Sequence, residues 1–149
     1  MLTYEMKKLI SEHRAGMVAS INDNGTPSVS PKATFVILDD ETLAFGNLRS
    51  PKTIKNINQR PNTEVCFIDV LARKAVRVTG IAKHLRNEEI SDALRSAFED
   101  IWADFLDRFS GVVEIKVTAV EHILSPAYDM GITEGELREA SLAHLKSLS

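Results

Sequence analysis

The residues best suited to chemistry lie in one stretch, Gly46-Asn47-Leu48-Arg49-Ser50-Pro51-Lys52-Thr53-Ile54-Lys55-Asn56. Ser50 is a favoured helix N-cap, and Pro51 fits the first helical position, where a missing N–H costs nothing and φ is already set. The backbone N–H groups of Lys52 and Thr53 then belong to the unpaired donors of a first turn and point at whatever lies in front of the helix. No acidic residue occurs from Thr42 through Thr63, while Arg49, Lys52, Lys55 and Arg60 place four positive charges in a chain of formal net charge -3. The chemistry this implies is anion binding, and a phosphate fits. A helix terminus contributes roughly 0.3–1 kcal/mol toward an anion, whereas a cation about 4 Å away contributes about 4 kcal/mol at an effective dielectric near 20. The side chains therefore carry the affinity and the helix end sets direction. Taken alone, the same residues also simply begin a surface helix.

The other reactive side chains form no constellation. His13, His84, His122 and His144 are widely spaced, with neither an HExxH pair nor a cysteine-histidine cluster, and read as surface or half-buried histidines rather than metal ligands. Cys66, the only cysteine, sits among Val65, Phe67 and Ile68 as a small core residue; it excludes an internal disulfide and suits a reducing compartment. There is no GxSxG, P-loop or dinucleotide fingerprint, which argues against hydrolase, nucleoside triphosphatase and nicotinamide-binding readings. A rival nucleic-acid-binding barrel would use Arg49, Lys52, Lys55, Arg60, Arg73, Lys74 and Arg77. It lacks aromatic stacking partners beside those charges, and the overall charge has the wrong sign.

Composition and periodicity supply the frame. With 149 residues, 44% hydrophobic and 26% charged, the chain reads as one globular domain spanning 1-149. No apolar run reaches the roughly 20 residues of a membrane span, and residues 1–13 lack a signal core, so a cytoplasmic location is expected. Thr3 caps a short helix with Met6, Leu9, Ile10 and His13 on one face, ended by Gly16. Strands follow at Met17–Ile21, Pro27–Leu38 and Thr42–Phe45, the first two joined by an Asn-Gly turn. Pro31, which cannot donate to a ladder, demands an edge, a bulge or a backbone left free for a ligand. Thr63–Val70 and Lys74–Leu85 are the fourth and fifth strands. A long helix capped by Asn87 runs through Phe109, with Trp102 and the phenylalanines as core, and Gly111 closes it. Val112–Leu124 is the sixth strand. Ser125–Gly131 is irregular, and Thr133 with Glu136 opens a last helix over about 133-146. Six mostly hairpin-linked strands make a mainly β chain, a small antiparallel barrel with flanking helices.

The strand Pro27-Ser28-Val29-Ser30-Pro31-Lys32-Ala33-Thr34, the turn-helix Gly46–Asn56 and the segment Ser125-Pro126-Ala127-Tyr128-Asp129-Met130-Gly131 occur in an order that resembles the flavin mononucleotide (FMN) binding split β-barrels of the pyridoxamine 5'-phosphate oxidase-like superfamily. The likeness covers roughly Met6 to Gly131. It implies a six-stranded antiparallel split β-barrel binding FMN, and a flavin-dependent oxidoreductase in which the cofactor does the chemistry. Ser50, Lys52 and Thr53 then hold the phosphate, helped by Arg49 and Asn56. Ser30, Pro31, Lys32 and Ala33 run along the ring, and Gly46 and Asn47 line the same pocket, Gly46 because a missing side chain admits the ligand. Lys32 is either a cation that favours the reduced, anionic ring or a solvated edge lysine that blocks strand aggregation. The resemblance also implies a homodimer with FMN between subunits, reached by Tyr128 of the late segment unless that tyrosine merely anchors an irregular tail. Relatives that use deazaflavins or haem keep those ligands as alternatives. The arginine and histidine constellation with which pyridoxamine phosphate oxidases bind substrate phosphate has no counterpart, since the tail offers only Arg138 and His144.

Overall fold

The computed structural model describes residues 1–149. Seven strands form one antiparallel sheet: β1 (Gly16–Ile21), β2 (Pro27–Lys32), β3 (Phe35–Asp39), β4 (Thr42–Gly46), β5 (Asn62–Asp69), β6 (Lys74–Leu85) and β7 (Val112–Leu124). Four helices flank it: α1 (Tyr4–Glu12), α2 (Pro51–Gln59), α3 (Asp92–Trp102) and α4 (Glu134–Ser147). The sheet order is β2-β1-β5-β6-β7-β4-β3.

That order corrects the expected long second strand, and with it the count of six. Pro27–Leu38 is broken at Ala33 and Thr34 into β2 and β3, which occupy opposite edges of the sheet. Laid flat, seven strands about 4.8 Å apart would hold those edges roughly 29 Å from each other. The three Cα steps from Lys32 to Phe35 reach at most about 11 Å. The sheet must therefore roll until its two edges nearly meet, leaving a split barrel whose seam is crossed by Ala33-Thr34. Pro31 lies in the edge strand β2, which pairs with β1 and nothing else, so its missing donor breaks no interior ladder.

The barrel interior is closed by Val18, Phe35, Leu43, Phe45, Phe67, Val78, Val113 and Ile115, with α1 adding Met6, Leu9 and Ile10 and α2 adding Ile57. Phe35 meets Phe45 and Phe67 at ring-centroid separations of 5.2 and 4.8 Å in tilted and edge-on geometries, each buried ring contributing about 1.5–3 kcal/mol. A second cluster, Val36, Ala44, Leu94, Phe98, Phe109 and Val112, seats α3 on the outside of β3 and β4. Here the long helix expected from Asn87 to Phe109 is shorter. A 3-10 turn spans Asn87–Glu89, Ser91 caps α3 by accepting from the Leu94 N–H at 3.2 Å, and the chain tightens to 3-10 over Ala103–Arg108. The Trp102 indole N–H donates to the Phe35 carbonyl at 2.9 Å and fixes where the α-helical turns stop. Gly16, expected to end α1, instead begins β1; α1 stops at Glu12 with His13 as its C-cap.

Candidate functional site

α2 is bolted to the barrel by its C-terminal half. The Asn56 side-chain amide donates to Ser20 Oγ and Asn22 Oδ1, both at 3.0 Å, and the Arg60 Nε donates to the Ile21 carbonyl at 2.8 Å. Asp23 in the β1–β2 turn accepts from Lys55 at 3.1 Å and Arg60 at 2.7 Å. Hydrogen bonds from Lys55 and then Arg60 hold the Asp23 carboxyl below the usual carboxylate range. Two of the four cations singled out in the sequence are thus neutralised locally, and Asn56, proposed as a helper for the phosphate, has both amide hydrogens committed within the protein.

The N-terminal half of α2 is the reverse. Ser50 stands at the N-cap and is buried, yet its side chain makes no capping hydrogen bond. The first intrahelical bond runs from the Ile54 N–H to the Ser50 carbonyl at 2.9 Å, so the Lys52 and Thr53 N–H groups have no acceptor. Thr53 is buried behind them, while Arg49 and Lys52 are exposed and sit on no carboxylate. A helix start with no side-chain cap and two unneutralised cations favours negative charge by both dipole and charge.

The seam of the barrel brings the next group alongside. Thr34 Oγ1 donates to the Gly46 carbonyl at 3.1 Å, and the Gly46 N–H reaches both the Thr34 hydroxyl at 3.1 Å and its carbonyl at 3.2 Å. This clamp sets Lys32 and Ala33 beside Gly46 and Asn47, three residues ahead of Ser50. Lys32 is half-buried without a carboxylate partner, and burial pushes its ammonium below the usual lysine range. Ser30 and Pro31 continue along the unpaired outer edge of β2. The Asn47 backbone is pinned in turn: its N–H donates to the Gly111 carbonyl at 2.9 Å, and its carbonyl accepts from the Ser110 N–H and Oγ, both at 3.0 Å. Asn47 Oδ1 is buried with no partner, a cost of about 1–3 kcal/mol if left unmet.

One expectation changes. The space a side chain at Gly46 would take is not left open for a ligand; a Cβ there would stand 2.3–2.5 Å from the Phe109 ring, so the glycine lets that ring close the second core cluster. Tyr128, expected either to reach a partner subunit's cofactor or to anchor the tail, is anchored within its own chain. Its hydroxyl donates to the Ala72 carbonyl at 2.6 Å beside the β5–β6 turn, at the far end of β6 and β7 from Asn47. Arg138 is committed to Asp69 and Glu134, at 2.9 and 3.1 Å, and His144 is exposed, so the tail presents no substrate-phosphate constellation. Thr34 carried no sequence signal as a clamp, because its importance lies in a partner twelve residues away. His84, read only as a surface or half-buried histidine, is half-buried, with its Nε2 atom buried and unpartnered.

A family model described as pyridoxamine 5'-phosphate oxidase matches residues 2–124. No curated protein matches the chain. Among solved structures, Group A Streptococcus HupZ is 26% identical with a TM-score of 0.71, over 84% of this chain and 96% of that one. An FMN-binding protein from Syntrophomonas wolfei is 12% identical with a TM-score of 0.64, over 80% of this chain and 84% of that one. A FAD-binding protein from Mesorhizobium loti is 19% identical with a TM-score of 0.64, over 79% and 89% of the two chains. At those last two identities the likeness is one of fold.

Proposed function

Given that this chain belongs to the pyridoxamine 5'-phosphate oxidase family, matched over residues 2–124, we propose that it binds FMN and serves as a flavin-dependent oxidoreductase. The observation that carries this reading is the start of α2, where the Ser50 hydroxyl, the Lys52 and Thr53 N–H groups and the Arg49 and Lys52 charges all lack a protein partner. Ser50, Lys52 and Thr53 hold the phosphate, with Arg49 at its rim. The Thr34 clamp fixes Asn47, Lys32 and Ala33 toward the ring, and Ser30 and Pro31 offer it the free edge of β2. Lys32 brings an unneutralised, partly desolvated positive charge to that end of the site, where it favours negative charge on a bound ring. Bound FMN supplies the hydride and electron transfer. Structural neighbours named for FMN and FAD support a flavin, and a site built around one phosphate favours FMN.

The same reading takes the active unit as a cytoplasmic homodimer with FMN between subunits. Pro31, Met17 and Cys66 lie in one cross-strand row on β2, β1 and β5, with Val29, Ala19 and Ile68 on the same outward face. Met17, Val29 and Ile68 are 47%, 65% and 51% exposed, an apolar surface beside an open strand edge that a second copy would cover. No helix is long and apolar enough to cross a membrane. Size-exclusion chromatography with in-line absorbance and light scattering, after incubation with micromolar FMN, tests both parts: a flavin band is expected to travel with a particle of twice the chain mass. Absence of the band removes the flavin reading, and a monomer carrying flavin removes the shared site.

A further inference from the structure

The second core cluster is not sealed. Between the 3-10 turn Asn87–Glu89, α3, the 3-10 turn Ala103–Arg108 and the start of β7 it leaves a cavity of about 390 Å³. Buried Phe98, Phe109 and Val112 and half-buried Ile90 and Leu106 make its apolar wall. The Phe98 and Phe109 rings meet edge-on at 5.5 Å, so aromatic packing holds that wall in shape without a ligand. The volume falls in the range of roughly 300–1,000 Å³ typical of small-molecule sites, which combine an apolar wall with a few polar groups. The cavity shares no lining residue with the site at the start of α2.

The polar groups on the lining divide by sign. The donors are tied to the backbone: the Arg95 guanidinium donates to the Asn87 carbonyl at 2.9 Å, and the Asn87 side-chain amide donates to the Phe109 carbonyl at 3.2 Å. The acceptors are free. Glu99 and Asp107 are exposed, and their carboxylates make neither an ion pair nor a hydrogen bond; Glu99 follows Arg95 by one helical turn, but the guanidinium is turned to Asn87. The surroundings repeat that sign, with seven carboxylates and three arginines between Arg86 and Arg108. Of those carboxylates only Glu88 and Glu89 are paired, both with Arg86. An acidic ligand would meet like charge at Glu99 and Asp107, and a neutral one would leave them unanswered. A cation answers them while its body covers the apolar wall.

We propose that this cavity binds a small organic cation, an aromatic or alkyl body seated on Phe98, Leu106, Phe109 and Val112 with one ammonium at Glu99 and Asp107. One cation against two carboxylates leaves a single net negative charge on the lining, which a monoamine matches. Four chain segments enclose the space, a shape suited to a small molecule rather than to a flat protein face. The proposal is independent of the flavin reading, since the start of α2 favours anions and this cavity favours cations.

Proton–nitrogen correlation NMR of the isotope-labelled chain tests the proposal, with titrations of phenethylamine and tryptamine and, in parallel, of phenylacetate and indoleacetate. Each amine shares its ring with one of the acids and carries the opposite charge. Saturable shifts of the Ile90, Leu106, Asp107 and Val112 amides are expected with an amine at millimolar concentration, and none with the acids. Combining Glu99→Gln with Asp107→Asn is expected to weaken the amine about fivefold, and added salt to weaken it in wild type. Absence of these shifts with both amines overturns the site. An acid that binds as tightly as its amine, or a double variant that binds the amine like wild type, overturns the cation. Both substitutions keep the shape of an exposed, unpaired side chain, so the melting temperature is expected to match wild type. The titrations are run without flavin, so their result stands whether or not α2 holds FMN.

Discussion

The molecule has two polar corners at opposite ends of β6, and they are built on contrary plans. At one, Asp69 is a buried hub: its Oδ1 accepts from the Leu71 and Ala72 N–H groups at 3.0 and 3.1 Å, its Oδ2 accepts from Arg138 at 2.9 Å, and His13 Nε2 lies 3.3 Å from Oδ2. Arg138 continues to Glu134, which also binds Lys74, so α1, the β5–β6 turn, β6 and α4 are tied by one network. A cavity of about 190 Å³ opens among these groups. At the other corner no such closure exists: Asn47 Oδ1 and His84 Nε2 have no partner, Ser50 caps nothing, and Lys32, Arg49 and Lys52 face no carboxylate. The contrast is one of satisfaction: polar groups that answer one another gain little from a ligand, whereas unpartnered ones gain a partner when a ligand or water reaches them.

The largest effect expected from testing this contrast is on stability. Asp69→Ala leaves two backbone N–H groups and His13 unanswered, removes one of Arg138's two carboxylates, and is expected to cost about 2–3 kcal/mol, read by urea unfolding, with FMN affinity intact. Burial raises the Asp69 carboxyl, but the Ala72 N–H, His13, Arg138 and the Leu71 N–H together bring it below its ordinary value. A depressed folded-state pKa means this stabilisation is in place above about pH 4 and is lost as pH falls through the lowered value. Acid titration of the melting temperature is therefore expected to fall less steeply in Asp69→Asn than in wild type. Loss of flavin affinity in either variant would break the separation of the two corners.

Next comes Lys52→Ala. It is expected to weaken FMN about tenfold and riboflavin little, since only FMN carries the phosphate, with no change in melting temperature. Equal losses for both flavins would move the phosphate away from α2. The smallest effect belongs to Lys55→Ala, three residues along the same helix. Its charge already answers Asp23, which Arg60 also holds, so both flavin affinity and melting temperature are expected to match wild type within error. A loss as large as that of Lys52→Ala would sink the division of α2 into a bolted half and a binding half.

Much of this was legible beforehand because it is local. Ser50-Pro51 marks a helix start, Thr133 caps α4 by accepting from the Glu136 N–H at 3.2 Å, and the alternation in Lys74–Leu85 gives β6 with the expected bounds. The family was legible to the same depth. The basic turn-helix and the Pro31 strand could be paired through their resemblance to a family, and the chain belongs to that family.

What a linear pattern cannot carry is which distant group answers which. Nothing near Lys55 in sequence says that Asp23 neutralises it while Lys52 stays free. The Phe109 ring that fills the space at Gly46 is 63 residues away from it, the same separation at which Ser110 holds Asn47. The unbroken β-pattern of Pro27–Leu38 likewise hides the seam, because the bend at Ala33-Thr34 is imposed by closure of the sheet rather than by a local breaker. The sequence by itself determined most element types and their order, and a basic helix start at Ser50–Thr53, all properties of neighbouring residues. The tertiary structure alone decided which charges remain unpaired and that Asn47 Oδ1 and His84 Nε2 are buried without partners, because partnership between groups far apart in the chain exists only once the barrel has closed.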